Sequence, residues 1–170
     1  MRIAIVGAYP STRMGAPYTD PNWQIWTCSA KNAGIVRRWD AWFELHVPFG
    51  WDVNAKEVVP GYVEWLRKEP CVYLRDKDQE FDGAVPYPEE DMREEFGPFF
   101  FTSTVSCMLA LAVSKQPTEI GLWGIELSHD QEYAYQKPGC HYFIQKAWDR
   151  GIKVTVPSES KILEPPLEQW

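Results

Sequence analysis

The sequence predicts an α/β protein built on a doubly wound, mostly parallel, Rossmann-like sheet with helices on both faces. Three observations predict it. Short apolar runs rich in β-branched and aromatic residues alternate with longer amphipathic ones along the 170 residues. The first run, "RIAIV" (2–6), is nearly all apolar, as expected of a central strand covered on both faces. It is followed at once by the glycine-opened loop "GAYPSTR" (7–13), where a ligand loop sits in many α/β proteins.

Each element has its own justification. "RIAIV" (2–6), "WQIWTC" (23–28) and "AWFEL" (41–45) are the first strands; "CVYL" (71–74), "EIGLWG" (119–124) and "IKVTV" (152–156) are the later ones. Val59, Tyr62, Val63 and Leu66 step as one face of a helix over 57–68. The same stepping at Val105, Met108, Leu109, Ala112 and Val113 marks a helix that Thr102, Ser103 or Thr104 can cap. A last helix uses Cys140, Phe143, Ile144, Ala147 and Trp148 and stops at Gly151. Residues 75–101 read as one long irregular loop or lid, acidic and rich in proline and aromatics. Residues 157–170 read as a surface tail, and 1–170 as a single domain.

Composition narrows the partners. The chain is 45% hydrophobic with a net charge of -7 and a pI near 5.0, which argues against nucleic-acid binding through a diffuse basic surface. Lys31, Arg37 and Arg38 leave room for a local basic pocket. Cys28, Cys71, Cys107 and Cys140 lie far apart with no CxxC pair, so they are expected as buried free thiols in a reducing compartment. No apolar stretch reaches the roughly 18 residues of a membrane span, and the first ten residues lack the shape of a signal peptide. The expectation is a cytoplasmic protein with no membrane partner, with a homo-oligomer left open.

In an open parallel sheet, ligands bind at the carboxyl ends of the strands. That rule selects Gly7, Tyr9, Pro10 and Ser11 after the first strand, and Thr27, Cys28, Ser29 and Asn32 around the end of the second. It selects Glu44 and His46 after the third. The helix start Thr102–Ser103–Thr104 offers hydroxyls and unpaired N–H groups to an anion. Gly124 and Glu126 close the ring. Each has a plainer alternative: a turn for Gly7, ordinary capping for Ser11 and for Thr102–Thr104, a solvated pair for Glu44 and His46. Glu126 at the mouth of the sheet can hold a ribose hydroxyl or a metal. "ELSHDQE" (126–132) is a possible metal cluster, but without a recognised ligand spacing. His141 at a helix start can be a base, a phosphate partner or an exposed residue. No Ser-His-Asp order, Walker loop or HExxH is present.

"FTSTVSCMLALAVSKQPTEIGLWGIEL" (101–127), together with "IVGAYPS" (5–11), resembles the Rossmann-like proteins grouped with archaeal 6-hydroxymethylpterin diphosphokinases. Those are distant relatives of certain bacterial sialyltransferases and motility-associated glycosyltransferases. Such proteins carry G-x-G-P-S in the first loop, a hydroxyl-rich helix start and G-[VI]-[DE] after a later strand. This chain keeps Gly7, Pro10 and Ser11 but has Tyr9 at the second glycine, and it keeps Gly124, Ile125 and Glu126. Compact versions also look like small proteins of bacteriophage genomes. The resemblance implies a nucleotide or nucleotide-sugar ligand, with magnesium as a possible companion, and group transfer, glycosyl or diphosphoryl. Glu44, His46 and Glu126 are then the base or metal-ligand candidates, while the 102–106 helix start and Arg37 or Arg38 stabilise charge. Tyr9 narrows the close backbone approach that a phosphate needs at the first loop. A non-catalytic metabolite-binding protein and an interaction protein with a vestigial site are the alternatives.

Overall fold

The computed structural model describes residues 1–46, 51–52, 57–75, 81–128 and 132–164. β1 (Arg2–Val6) alternates its side chains between two apolar layers: Ile3 and Ile5 enter one cluster, Ala4 and Val6 another. β1 pairs in parallel with β2 (Trp23–Cys28) on one side and with β8 (Glu119–Trp123) on the other. Outward from β2 come β3 (Ala41–Glu44), β6 (Val72–Leu74) and β7 (Ala84–Pro86); outward from β8 comes β9 (Lys153–Thr155). Every neighbouring pair in this seven-stranded sheet, order β7-β6-β3-β2-β1-β8-β9, is parallel. A separate antiparallel pair is formed by β4 (Trp51–Asp52) and β5 (Glu57–Val58).

The two faces are covered unequally. α3 (Glu89–Phe96), α4 (Thr104–Ser114) and α5 (Lys137–Asp149) pack on the Ile3/Ile5 face, where Met108, Leu109, Phe143 and Ile144 join Trp26 and Phe43. Among the described residues the opposite face carries short helices, α1 (Pro10–Arg13) and α2 (Tyr62–Leu66), and is filled by aromatics instead. There Trp42 meets Trp39 at 5.5 Å and Trp65 at 4.8 Å, both edge-on, the favourable geometry for ring quadrupoles.

Several boundaries differ from the sequence expectation. The helix expected over 57–68 shrinks to α2, because Glu57–Val58 is a strand and Gly61, at φ +75°, sets the N-cap. The stretch 75–101, expected as one irregular loop, holds β7 and α3. Residues 158–164 do more than cross the surface: Ile162 is fully buried. All four cysteines are free thiols. Among the described residues no helix is long and apolar enough to cross a membrane.

Candidate functional site

Winding reverses between β1 and β8, so the crevice at their carboxyl ends is the topological switch point. Two glycines shape it. Gly7 N donates to Trp123 O at 2.8 Å, and Tyr9 N to Gly124 O at 2.9 Å. A Cβ on Gly7 would stand 2.4 Å from Gly124 O, and one on Gly124 would stand 2.4 Å from Gly7 O. Gly124 also has φ +65°, a left-handed conformation that side chains disfavour. Thr12 Oγ1 then accepts from Gly124 N at 2.7 Å. Gly7 therefore serves the approach of two backbone loops, which accounts for a first-loop glycine without a full glycine fingerprint.

Glu126 stands at the end of this crevice but is 5% exposed, more buried than a rim carboxylate is expected to be. Its Oε1 accepts from Ser11 Oγ at 3.3 Å and its Oε2 from Lys161 N at 3.2 Å. The segment 160–162 is fastened over it. Ser160 Oγ donates to Ile125 O at 2.7 Å, and the Lys137 ammonium donates to Lys161 O at 2.8 Å. His141 Nε2 contacts Ile162 O. Lys137 is itself fully buried. Burial pushes its ammonium below the ordinary lysine value, while Glu164 and Glu126 favour the charged form.

A second cluster lies at the end of β3. Glu44 is 2% exposed. Its Oε1 lies 2.5 Å from His46 Nδ1 and accepts from His46 N at 3.2 Å, while Oε2 accepts from Tyr62 Oη at 2.9 Å. Trp42 Nε1 in turn donates to Tyr62 Oη at 2.8 Å. Burial, and then the Glu44 charge, push the Tyr62 phenol well above its usual value, so it stays a donor. When the imidazole is neutral, an Nδ1–H donated to Glu44 makes Nε2 the basic nitrogen of His46.

Between these clusters Asn32, fully buried, ties β1 to β2. Its Nδ2 lies 3.1 Å from Gly7 O, 3.0 Å from Thr27 Oγ1 and 2.9 Å from Cys28 O. Ser29, at φ 80°, accepts from Lys31 N. Tyr9 is the N-cap of α1 and Pro10 its first residue, both without a side-chain cap bond. The start of α4 satisfies itself: Ser103 Oγ accepts from Ser106 N at 3.1 Å, and Ser106 Oγ reaches Ser103 N at 2.9 Å. Ser103, expected to face an anion, thus spends its hydroxyl in a capping box. Thr102 Oγ1 donates to Gln136 O at 3.4 Å.

Arg38 sits at the other end of the sheet. Its guanidinium bonds Trp23 O, the first residue of β2, and Asp40, which precedes β3, so it cannot serve the carboxyl rim. Arg37 is exposed. His129 and Asp130 of the possible metal cluster lie outside the described residues, and among the described residues no group of three or more His, Cys, Asp or Glu could hold a metal ion. Lys137 and Arg13 were not among the expected residues. Lys137 carries no legible signal in the sequence, since its burial and its bond to Lys161 O come from tertiary neighbours.

The fold and rim define the class: a Rossmann-like α/β protein whose sheet presents a carboxyl-end crevice. No family model matches the chain, and a search of curated proteins gives no match. Among solved structures it is similar to the sialyltransferase CstII from Campylobacter jejuni in complex with the substrate analogue CMP-3FNeuAc. That similarity has a TM-score of 0.57 at 13% identity, over 92% of this chain and 80% of that one. The same enzyme with cytidine-5'-monophosphate gives a TM-score of 0.53 at 14% identity, over 91% and 78%. At that identity the likeness is one of fold alone.

Proposed function

We propose that the chain transfers a glycosyl group from a nucleotide-activated sugar. The observation that carries this reading is the Glu44–His46 pair, a buried carboxylate 2.5 Å from an imidazole at the carboxyl rim. It sits on a fold shared with a transferase solved with CMP ligands. In such a transfer, His46 Nε2 takes the proton of the acceptor hydroxyl as its oxygen attacks the anomeric carbon. Glu44 holds the tautomer and stabilises the imidazolium that forms, the division of labour seen in carboxylate–histidine pairs generally. The nucleotide leaves with the electrons of the broken glycosidic bond, and the 7–13 loop and the β2–α turn at 29–32 line the place for it.

A thermal-shift panel of cytidine, uridine, guanosine and adenosine nucleotides, with and without magnesium, tests the ligand class. Turnover of the matching nucleotide sugar tests the activity. We expect one nucleotide to raise Tm, and His46→Ala to lower turnover about a hundredfold or more while leaving nucleotide binding intact. Stabilisation by no nucleotide would overturn the reading. Binding without turnover would favour a non-catalytic nucleotide-binding protein, a reading to which the internal engagement of Ser103 and Glu126 lends support.

A further inference from the structure

Arg13, the last residue of α1, lies between the first loop and the turn after β2. Its Nη1 donates to three oxygens: Ala8 O at 3.3 Å, Lys31 O at 3.4 Å and Asn32 Oδ1 at 3.3 Å. These hold the guanidinium in place from one corner. The opposite edge, formed by Nε and Nη2, is different. Nε is buried with no hydrogen-bond partner, and no described residue accepts from Nη2. A buried donor without an acceptor is costly, and few are tolerated without a reason.

This chain shows what that edge takes when it is filled. Arg75 places Nε and Nη2 on Glu89 at 3.0 and 3.1 Å, and Arg93 does the same at 3.0 and 2.7 Å. Arg75 spans both carboxylate oxygens bidentately, while Arg93 sets both donors on Glu89 Oε1 alone. Among the described residues Arg13 has no carboxylate within ion-pair distance. It is fixed, cationic and positioned beside the switch-point crevice.

We infer that the Nε/Nη2 edge of Arg13 is an oxyanion holder that takes a phosphate of the nucleotide ligand. The inference rests on the proposed function for the identity of the phosphate's source, but the fork itself does not depend on it. An arginine suits this task and a lysine does not, because an ammonium cannot present two parallel donors.

The test is an NMR titration of the 15N-labelled full chain, reading the Arg13 Nε–Hε resonance, with CMP, cytidine and inorganic phosphate as separate probes. Affinities of CMP and cytidine are then compared for the wild type, Arg13→Lys and Arg13→Gln. We expect CMP to shift the Arg13 resonance and cytidine to leave it in place. Both variants should bind CMP roughly ten- to a hundredfold more weakly with cytidine affinity unchanged. CMP binding that leaves the resonance unmoved, with its preference over cytidine kept in Arg13→Lys, would overturn the inference. If CMP fails to bind but inorganic phosphate moves the resonance, the oxyanion fork stands and a cytidine nucleotide is excluded as the source of its phosphate. If neither probe moves it, the fork is refuted on the wild-type chain alone, whatever the variants do.

Discussion

Glu44 receives three donors on two oxygens while almost wholly withdrawn from water. Glu44→Gln replaces one acceptor oxygen by an amide that opposes the Tyr62 or His46 donor. We expect a stability loss of about 1–3 kcal/mol, read as a shifted urea midpoint, together with loss of turnover. His46→Ala should leave the midpoint nearly unchanged, since the imidazole is about one-third exposed; a comparable stability loss would make the pair structural. The thiols give a second residue-scale expectation. Burial, aided by the Glu44 charge, pushes Cys28 up to about 12. Burial likewise pushes Cys140 up to about 12 and Cys107 to about 11. A raised thiol value keeps the inert protonated form at neutral pH, because the thiolate is the nucleophile. A disulfide-exchange reagent at pH 7.5 should therefore leave Cys28, Cys107 and Cys140 largely unmodified in the folded protein, and modify all four cysteines in denaturant.

At the scale of elements, α3 is held at its start by one acid between two arginines. The Arg93 hydrogen bond, with help from Arg75, holds Glu89 below its ordinary value of 4.5. A carboxyl depressed in the folded state adds stability above its unfolded value and loses it as pH falls through the folded one. The contribution is thus present at neutral pH and disappears on acidification below about 4.5. Glu89→Gln should cost about 0.5–1 kcal/mol at pH 7 and flatten the acid limb of the stability curve; an unchanged limb would discount the pair. Ser103→Ala should cost about 1 kcal/mol in thermal unfolding through the lost cap, while a loss of ligand affinity with no change in stability would return its hydroxyl to the binding site. These elements also show where sequence was legible. β1, β2, β8, α4 and α5 carry apolar runs or periods long enough to declare themselves. β7 is three residues with an exposed proline, and α3 buries only Met92 and Phe96 among eight largely charged residues. Neither offers an apolar period. The rim rule located Gly7, Ser11, Gly124, Glu126, Glu44 and His46 at the carboxyl ends of the strands, because it follows from strand ends alone. It missed Arg13 and Lys137, whose roles depend on tertiary neighbours.

Across the molecule, the segment 158–164 is fastened to Ile125 and Glu126, just beyond β8. Ile162 is its apolar anchor, and the fully buried Lys137 relies on Lys161 O. Ile162→Ala should cost about 2–4 kcal/mol, lowering Tm by several degrees, and should make Lys137 more reactive toward an amine-modifying reagent. A variant with unchanged Tm and unchanged Lys137 reactivity would show that the segment does not shelter Lys137.

The parallel register has a kinetic consequence. β1 pairs Arg2 with Glu119 and Val6 with Trp123, so this interior strand gains its second neighbour from a segment distant in sequence. Pairings this distant in sequence close large loops before they are rewarded, and chains dominated by them fold slowly. During synthesis, β1 and β2 can pair while the edge of β1 that β8 will cover stays unsatisfied until residues 119–123 have been made. A row of unpaired backbone groups on an apolar strand is a template for intermolecular association. The vulnerable species is therefore the ribosome-bound chain before β8 emerges, and expression yield should depend on elongation rate and temperature more than the native stability alone would indicate.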